Sequence, residues 1–104
     1  MPAPRWRWGP GMTTTVLVPG VLRGEVDGAS RLTMEASGTL GAVFDELADR
    51  WPRLERRIRD EQGQLRRYVN VYVDGEDCRL VGGLTAPVRD GAEITVLPSV
   101  AGGQ

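Results

Sequence analysis

The sequence predicts a small α+β domain, a mixed β-sheet packed on one main helix, built from a single chain of 104 residues. Three observations lead there. Apolar residues at helical spacing form one clear stripe, between Leu40 and Trp51. Short β-branched or alternating runs stand on both sides of that stripe. Glycines, prolines and Asp-Gly pairs mark the boundaries.

The chain divides into a disordered arm over 1–12, a folded domain over 13–98 and a flexible tail over 99–104. The arm opens MPAPRWRWGPG and holds three of the seven prolines, each of which disfavours helix or central strand. Trp6 and Trp8 alternate with Arg5 and Arg7, residue types that stack on nucleic-acid bases. Four residues make no binding surface by themselves, and the preferred reading is a flexible leader or an upstream start ahead of Met12.

Thr13 to Val18 is β-branched and reads as the first strand, stopped by Pro19-Gly20. Arg31 to Ala36 alternates, with Leu32, Met34 and Ala36 on one face, and reads as the second. Gly24 and Asp27-Gly28 supply turn residues between them, so the two strands predict a hairpin. Leu40, Val43, Phe44, Leu47 and Trp51 then fall on one helical face. Thr39 is the expected N-cap, because its hydroxyl can accept a bond from an unpaired amide of the first turn. Pro52 disfavours helical geometry at Trp51 and ends the run, after which Leu54 and Ile58 allow a short second helix. Tyr68 to Val73 is the strongest strand, with Val69, Val71 and Val73 on one face and Tyr68, Asn70 and Tyr72 on the other. Asp74-Gly75 closes it, Arg79 to Val81 is expected as a short edge strand, and Glu93 to Leu97 as the last strand before Pro98.

Composition narrows the chemistry. The 40% hydrophobic and 26% charged content is ordinary for a soluble globular protein, and a net charge of -1 gives no general attraction to nucleic acid or membrane. No apolar run approaches the roughly 20 residues that span a bilayer. Arg5 and Arg7 have no hydrophobic stretch after them, so no signal peptide is expected and the cytoplasm is the default location. With no histidine and one cysteine, Cys78, neither common zinc sites nor nucleophile–base pairs can be assembled. Walker and Rossmann glycine patterns are missing as well. The expectation is a protein that is not an autonomous enzyme and holds no metal or bound cofactor.

More specific information lies near the C-terminus. The stretch DGAEITVLPSVAGG, from Asp90 to Gly103, places an acidic-glycine turn before the last strand, then proline, small residues and Gly-Gly. In this it resembles the MoaD/ThiS family of β-grasp sulfur carriers. RYVNVYVDGED (67–77), Gly82-Gly83-Leu84-Thr85 and the helix start Thr39-Leu40-Gly41-Ala42-Val43 are most similar to the mycobacterial-type, CysO-like carriers of cysteine biosynthesis. The resemblance runs from Thr13 to Gly103.

That resemblance implies a β-grasp, ubiquitin-like fold and a function located in the tail. A carboxylate is a poor electrophile, so an E1-like adenylating and sulfurtransferase partner activates the Gly103 carboxyl group with ATP. The acyl-adenylate accepts sulfur, giving a thiocarboxylate that a synthase consumes, of the cysteine synthase type or from secondary metabolism. Gly102, Ala101 and Pro98 would serve tail recognition: the glycines allow close backbone approach, while Pro98 keeps the exit extended. An apolar patch of Leu80, Val81 and Leu97 is the candidate surface for the partner's grip. The chain departs from the pattern at Gln104, which follows the second glycine and blocks its carboxylate. A separate zinc metalloprotease cleaving after Gly103 would expose it; otherwise Gln104 is incidental. A carrier for molybdopterin or thiazole synthesis is the alternative within the family. A non-reactive ubiquitin-like interaction module is the alternative outside it.

Remaining conspicuous residues receive plainer readings. Asp49 to Arg67 holds seven arginines and four acids, a net of +3 in a chain of net -1. It is a docking face for an acidic partner or, preferably, a solvated helix and loop surface. All 13 basic residues are arginine, which genomic codon bias explains as well as any avoidance of self-conjugation. Cys78 sits beside Asp77, which does not favour a thiolate. Trp51 ends the apolar stripe and is expected in the core.

Overall fold

The computed structural model describes residues 13–36 and 38–98. Along the described chain come β1 (Thr14–Leu17), a 3-10 helix (Gly20–Val26), β2 (Arg31–Met34), β3 (Gly38–Thr39), α1 (Leu40–Arg50) and α2 (Pro52–Ile58). Then follow β4 (Val69–Val73), β5 (Glu76–Asp77), 3-10 helices at Cys78–Leu80 and Gly83–Thr85, β6 (Pro87–Val88) and β7 (Glu93–Pro98). The main sheet has the order β2-β1-β7-β4-β5. Its central pair, β1 and β7, is parallel, and the other neighbours are antiparallel. The expected mixed sheet on one main helix is therefore present.

Alternation decides which face of the sheet meets the helices. Val16, Leu32, Met34, Val69, Val71, Val73, Ile94 and Val96 are buried, whereas their strand neighbours Leu17, Arg31, Tyr72 and Leu97 keep exposed surface. A one-residue slip of any strand would exchange the two sets, so burial fixes the register. Against that inner face lies the helical stripe: Leu40, Val43, Phe44 and Leu47 are each 0% exposed. Thr39 Oγ1 accepts from the Ala42 amide at 3.1 Å, the expected cap. Glu46 fastens the helix to the end of β2, its Oε1 accepting from the amides of Glu35 at 2.8 Å and Ala36 at 2.6 Å.

Pro52 has a second role besides ending α1. It occupies the first turn of α2, where its missing N–H costs no helical bond. Leu54 and Ile58 of α2 are buried, and Trp51, at the junction, is half-buried against the core. Arg59, just after α2, donates to Glu55 at 2.6 Å and Asp45 at 3.0 Å, with its guanidinium 5.8 Å from the centre of the Phe44 ring. A buried cation without partners would be costly, and the two carboxylates and the aromatic face offset that penalty.

The structure corrects three local expectations. The β1–β2 hairpin exists, but Gly24 lies inside a 3-10 helix, and the left-handed residues are Asp27 and Gly28. Arg79–Val81 is not a strand: Cys78–Leu80 forms a 3-10 helix, whose first turn is capped by the Asp77 carboxylate accepting from the Arg79 amide at 2.9 Å. The edge strand is instead Glu76–Asp77, joined to β4 by the two-residue Asp74-Gly75 turn, with φ of 50° and 86°. Finally, β3 and β6 pair as a separate two-stranded sheet that the periodicity did not predict. Gly82 nearby has φ of 121°, and a Cβ there would lie 2.8 Å from Thr85 Oγ1, so only glycine fits.

Candidate functional site

The site is the end of the sheet from which the C-terminal tail leaves. β7 is held between β1 and β4, so the direction of the departing chain is set by strand pairing on both sides. Its last pair is Val69 with Pro98. Pro98 has no amide hydrogen to extend the ladder, and it is half-buried. Ala101, Gly102, Gly103 and Gln104, the residues expected to carry or adjust the chemistry, lie outside the described residues.

On the outer face beside the exit, Tyr68 and Leu97 are 50% and 45% exposed. Leu97 pairs with Asn70, two residues from Tyr68, so the two side chains are diagonal neighbours on one face. Leu97 also borders a shallow hollow of about 310 Å³ with Leu17, Thr95, Arg23 and Arg31. Arg23 is fixed there by its Nε, which donates to the Val18 carbonyl at 3.1 Å.

The expected partner patch is distributed over the sheet. Leu80 is 81% exposed on the 3-10 helix after β5, which packs beside β4, so that β4 lies between it and β7. Val81 is half-buried, packs against the core and lines a different hollow of about 320 Å³ with Val73, Pro87 and Arg89. Leu97 alone of the three adjoins the tail exit. Sequence reasoning missed Tyr68, Arg23 and Arg79 at this end, and weighed Arg66 only as part of the Asp49–Arg67 stretch, whose preferred reading was a solvated surface. The alternation had placed Tyr68 on the outer face, but only the β4–β7 register brings it beside the exit.

Chemistry elsewhere in the domain is sparse. Cys78 is 0% exposed. Burial raises its thiol above the ordinary pKa; Arg79 opposes that shift and Asp77 adds to it. A buried neutral thiol is a poor nucleophile. Among the described residues no group of three His, Cys, Asp or Glu side chains could hold a metal ion, and no helix is long and apolar enough to cross a membrane.

Comparison with known proteins bears on this geometry. Residues 16–103 match the ThiS family. The sulfur carrier protein CysO of Mycobacterium tuberculosis is 42% identical over 95 residues, spanning 88% of this chain and 100% of that protein. Its crystal structure superposes with a TM-score of 0.76 at 37% identity, covering 84% of this chain and 99% of the other. The CysO of Amycolatopsis orientalis, solved in complex with BexX, gives a TM-score of 0.77 at 36% identity, covering 84% and 96%.

Proposed function

The chain belongs to the ThiS family and is a sulfur carrier with the ubiquitin-like β-grasp fold, and we propose that it holds its sulfur as a thiocarboxylate on Gly103. The observation that carries this reading is the family match extending from Val16 in β1 to Gly103, the second of two adjacent glycines beyond the last strand. In the proposed sequence an E1-like enzyme lets the Gly103 carboxylate attack the α-phosphorus of ATP, releasing pyrophosphate. A sulfide-level nucleophile then attacks the acyl carbon, and AMP leaves with the former carboxylate oxygen. The carrier supplies the acyl group and its presentation; the partner supplies the nucleotide site and the catalytic groups.

Gln104 fits this reading as a residue to be removed. Its amide bond to Gly103 leaves no free carboxylate at the activated position, and the family match stops at Gly103. A zinc metalloprotease is the proposed processing enzyme, since a metal-bound water can attack the bond while the metal polarises its carbonyl. The consumer is a synthase making cysteine or a sulfur-containing metabolite. That a CysO at 36% identity is solved in complex with another protein, BexX, supports a carrier that delivers to a partner.

The test compares the full chain with one ending at Gly103, each incubated with the E1-like enzyme, ATP and a sulfur source. Intact-mass measurement should show one oxygen-to-sulfur exchange only in the shorter chain until protease is added. Sulfur gain on the chain retaining Gln104 would end the precursor reading. Failure of both chains would end the thiocarboxylate reading, and unimpaired function after deletion of Gly102-Gly103 would favour a non-reactive interaction module.

A further inference from the structure

Ion pairing divides the arginines of the fold into two sets. Arg50, Arg53, Arg57 and Arg59 each lie within 3.1 Å of a carboxylate, and Arg31 lies 3.9 Å from Glu93. Among the described residues Arg23, Arg56, Arg66, Arg67, Arg79 and Arg89 have no carboxylate within ion-pair distance. Their placement is uneven. Arg23 lies at the end of β1, beside Leu97. Arg66 and Arg67 immediately precede Tyr68 and the Val69–Pro98 pair, and Arg79 reaches the same point through its Nη2. Arg89 is at the opposite end, where β7 begins.

The way these cations are held is also informative. Arg23 donates to the Val18 carbonyl at 3.1 Å, Arg66 to the Arg56 carbonyl at 2.8 Å and Arg79 to the Arg66 carbonyl at 2.9 Å. A backbone carbonyl fixes a guanidinium in place without neutralising it. Each side chain has therefore lost part of its rotamer freedom in the free protein, which lowers the entropic cost of a later contact. Four exposed acids stand at the far end. Asp74, Glu76, Asp90 and Glu93 are exposed around the β4–β5 turn and the start of β7. Arginines without a carboxylate partner are therefore concentrated where the tail leaves; the one acid lining a hollow with Arg66, Arg67 and Tyr68 is Asp60, whose carboxylate accepts from the Gln62 and Gln64 amides.

We infer that the tail-exit end, with Tyr68 and Leu97 at its centre and Arg23, Arg66, Arg67 and Arg79 around them, docks on an acidic protein surface surrounding the opening that receives the tail. This rests on the carrier reading: a tail of Ser99 to Gly103 spans at most roughly 17 Å when extended. Any protein that closes on Gly103 therefore meets the basic end as well. Unneutralised charge on that end sets the sign of the opposing surface and steers the encounter tail-first. An exposed tyrosine at the centre of such a contact is a side chain of the kind that carries binding energy. A net charge of -1 gives the whole molecule no attraction to polyanions, so the complementarity is local to this end.

Stopped-flow association of the full chain with the E1-like adenylating enzyme of the same organism tests the inference. Arg67→Glu is the main variant, because Arg67 is exposed and its side chain has no hydrogen bond or ion pair among the described residues. Arg89→Glu changes the net charge identically at the other end. The association rate of the parent should fall steeply from about 10 mM to about 1 M salt, as the screening length shrinks from about 30 Å to about 3 Å. At low salt Arg67→Glu should associate about tenfold more slowly, and Arg89→Glu within about twofold of the parent. Equal slowing by both variants would reduce the effect to net charge and overturn the rim. So would an Arg67→Glu rate equal to the parent's, or Arg67-dependent binding of a single-stranded oligonucleotide without any effect on the enzyme. Thiocarboxylate formation on the parent ending at Gly103, followed by mass, reports separately on the carrier reading.

Discussion

At the scale of the residue, Cys78 shows how burial settles a role that composition left open. Its thiol is 0% exposed, and burial is the main cause of its raised pKa. Well below the ordinary thiol pKa of about 8.5 the folded and unfolded chains both keep the proton, and the shift has no effect on stability. Above that value the unfolded chain ionises first and binds fewer protons than the folded one, so stability falls as pH rises. The urea midpoint should therefore decline between about pH 8 and about pH 10, and the slope should flatten in Cys78→Ala. Equal slopes in the two proteins would assign the decline to other groups.

At the scale of the element, helix α1 and its cap were legible while the segment after β5 was not. Four stripe residues repeat within one helix and a capping hydroxyl precedes them, so local chemistry and periodicity agree. Phe44, 0% exposed beneath Arg59, is the largest fully buried side chain of that stripe. Phe44→Ala should lower unfolding free energy by about 3–5 kcal/mol, read from denaturant titration; an unchanged stability would mean that another face of α1 meets the sheet. Cys78-Arg79-Leu80-Val81 offered too few residues for a period to be read. There the Asp77 side chain wins, because accepting from the Arg79 amide favours a tight turn over extension. β3 and β6 have two residues each and carry no periodic signal at all.

For the whole molecule, the tail and the folded domain have to work together. A five-residue segment of small side chains offers little surface for specificity, while the sheet end beside it presents Leu97 and Tyr68 half-exposed. A peptide of Ser99 to Gly103 should be adenylated far less efficiently than the intact domain ending at Gly103, with the difference measured as kcat/KM in pyrophosphate release. Equal efficiency would show that the domain surface contributes nothing to recognition. Of the three residues first proposed for that surface, Leu97 lies nearest the exit, and Leu80 stands on the far side of β4.

Local patterns of residues suffice for the α+β class, the inner faces of the major strands, the helix with its cap, and the Gly-Gly end that aligned the chain with sulfur carriers. Each is encoded locally, in side-chain period, turn chemistry or a contiguous motif. Only the assembled sheet sets β1 and β7 side by side in parallel and makes Tyr68 a diagonal neighbour of Leu97. It alone separated the paired arginines from the unpaired ones. These relations join residues distant in the chain, such as Arg23 and Leu97, which line one hollow, or Arg57 and Glu25, which form an ion pair. Charge neutralisation and strand register depend on distances in space, which no local pattern of residues specifies.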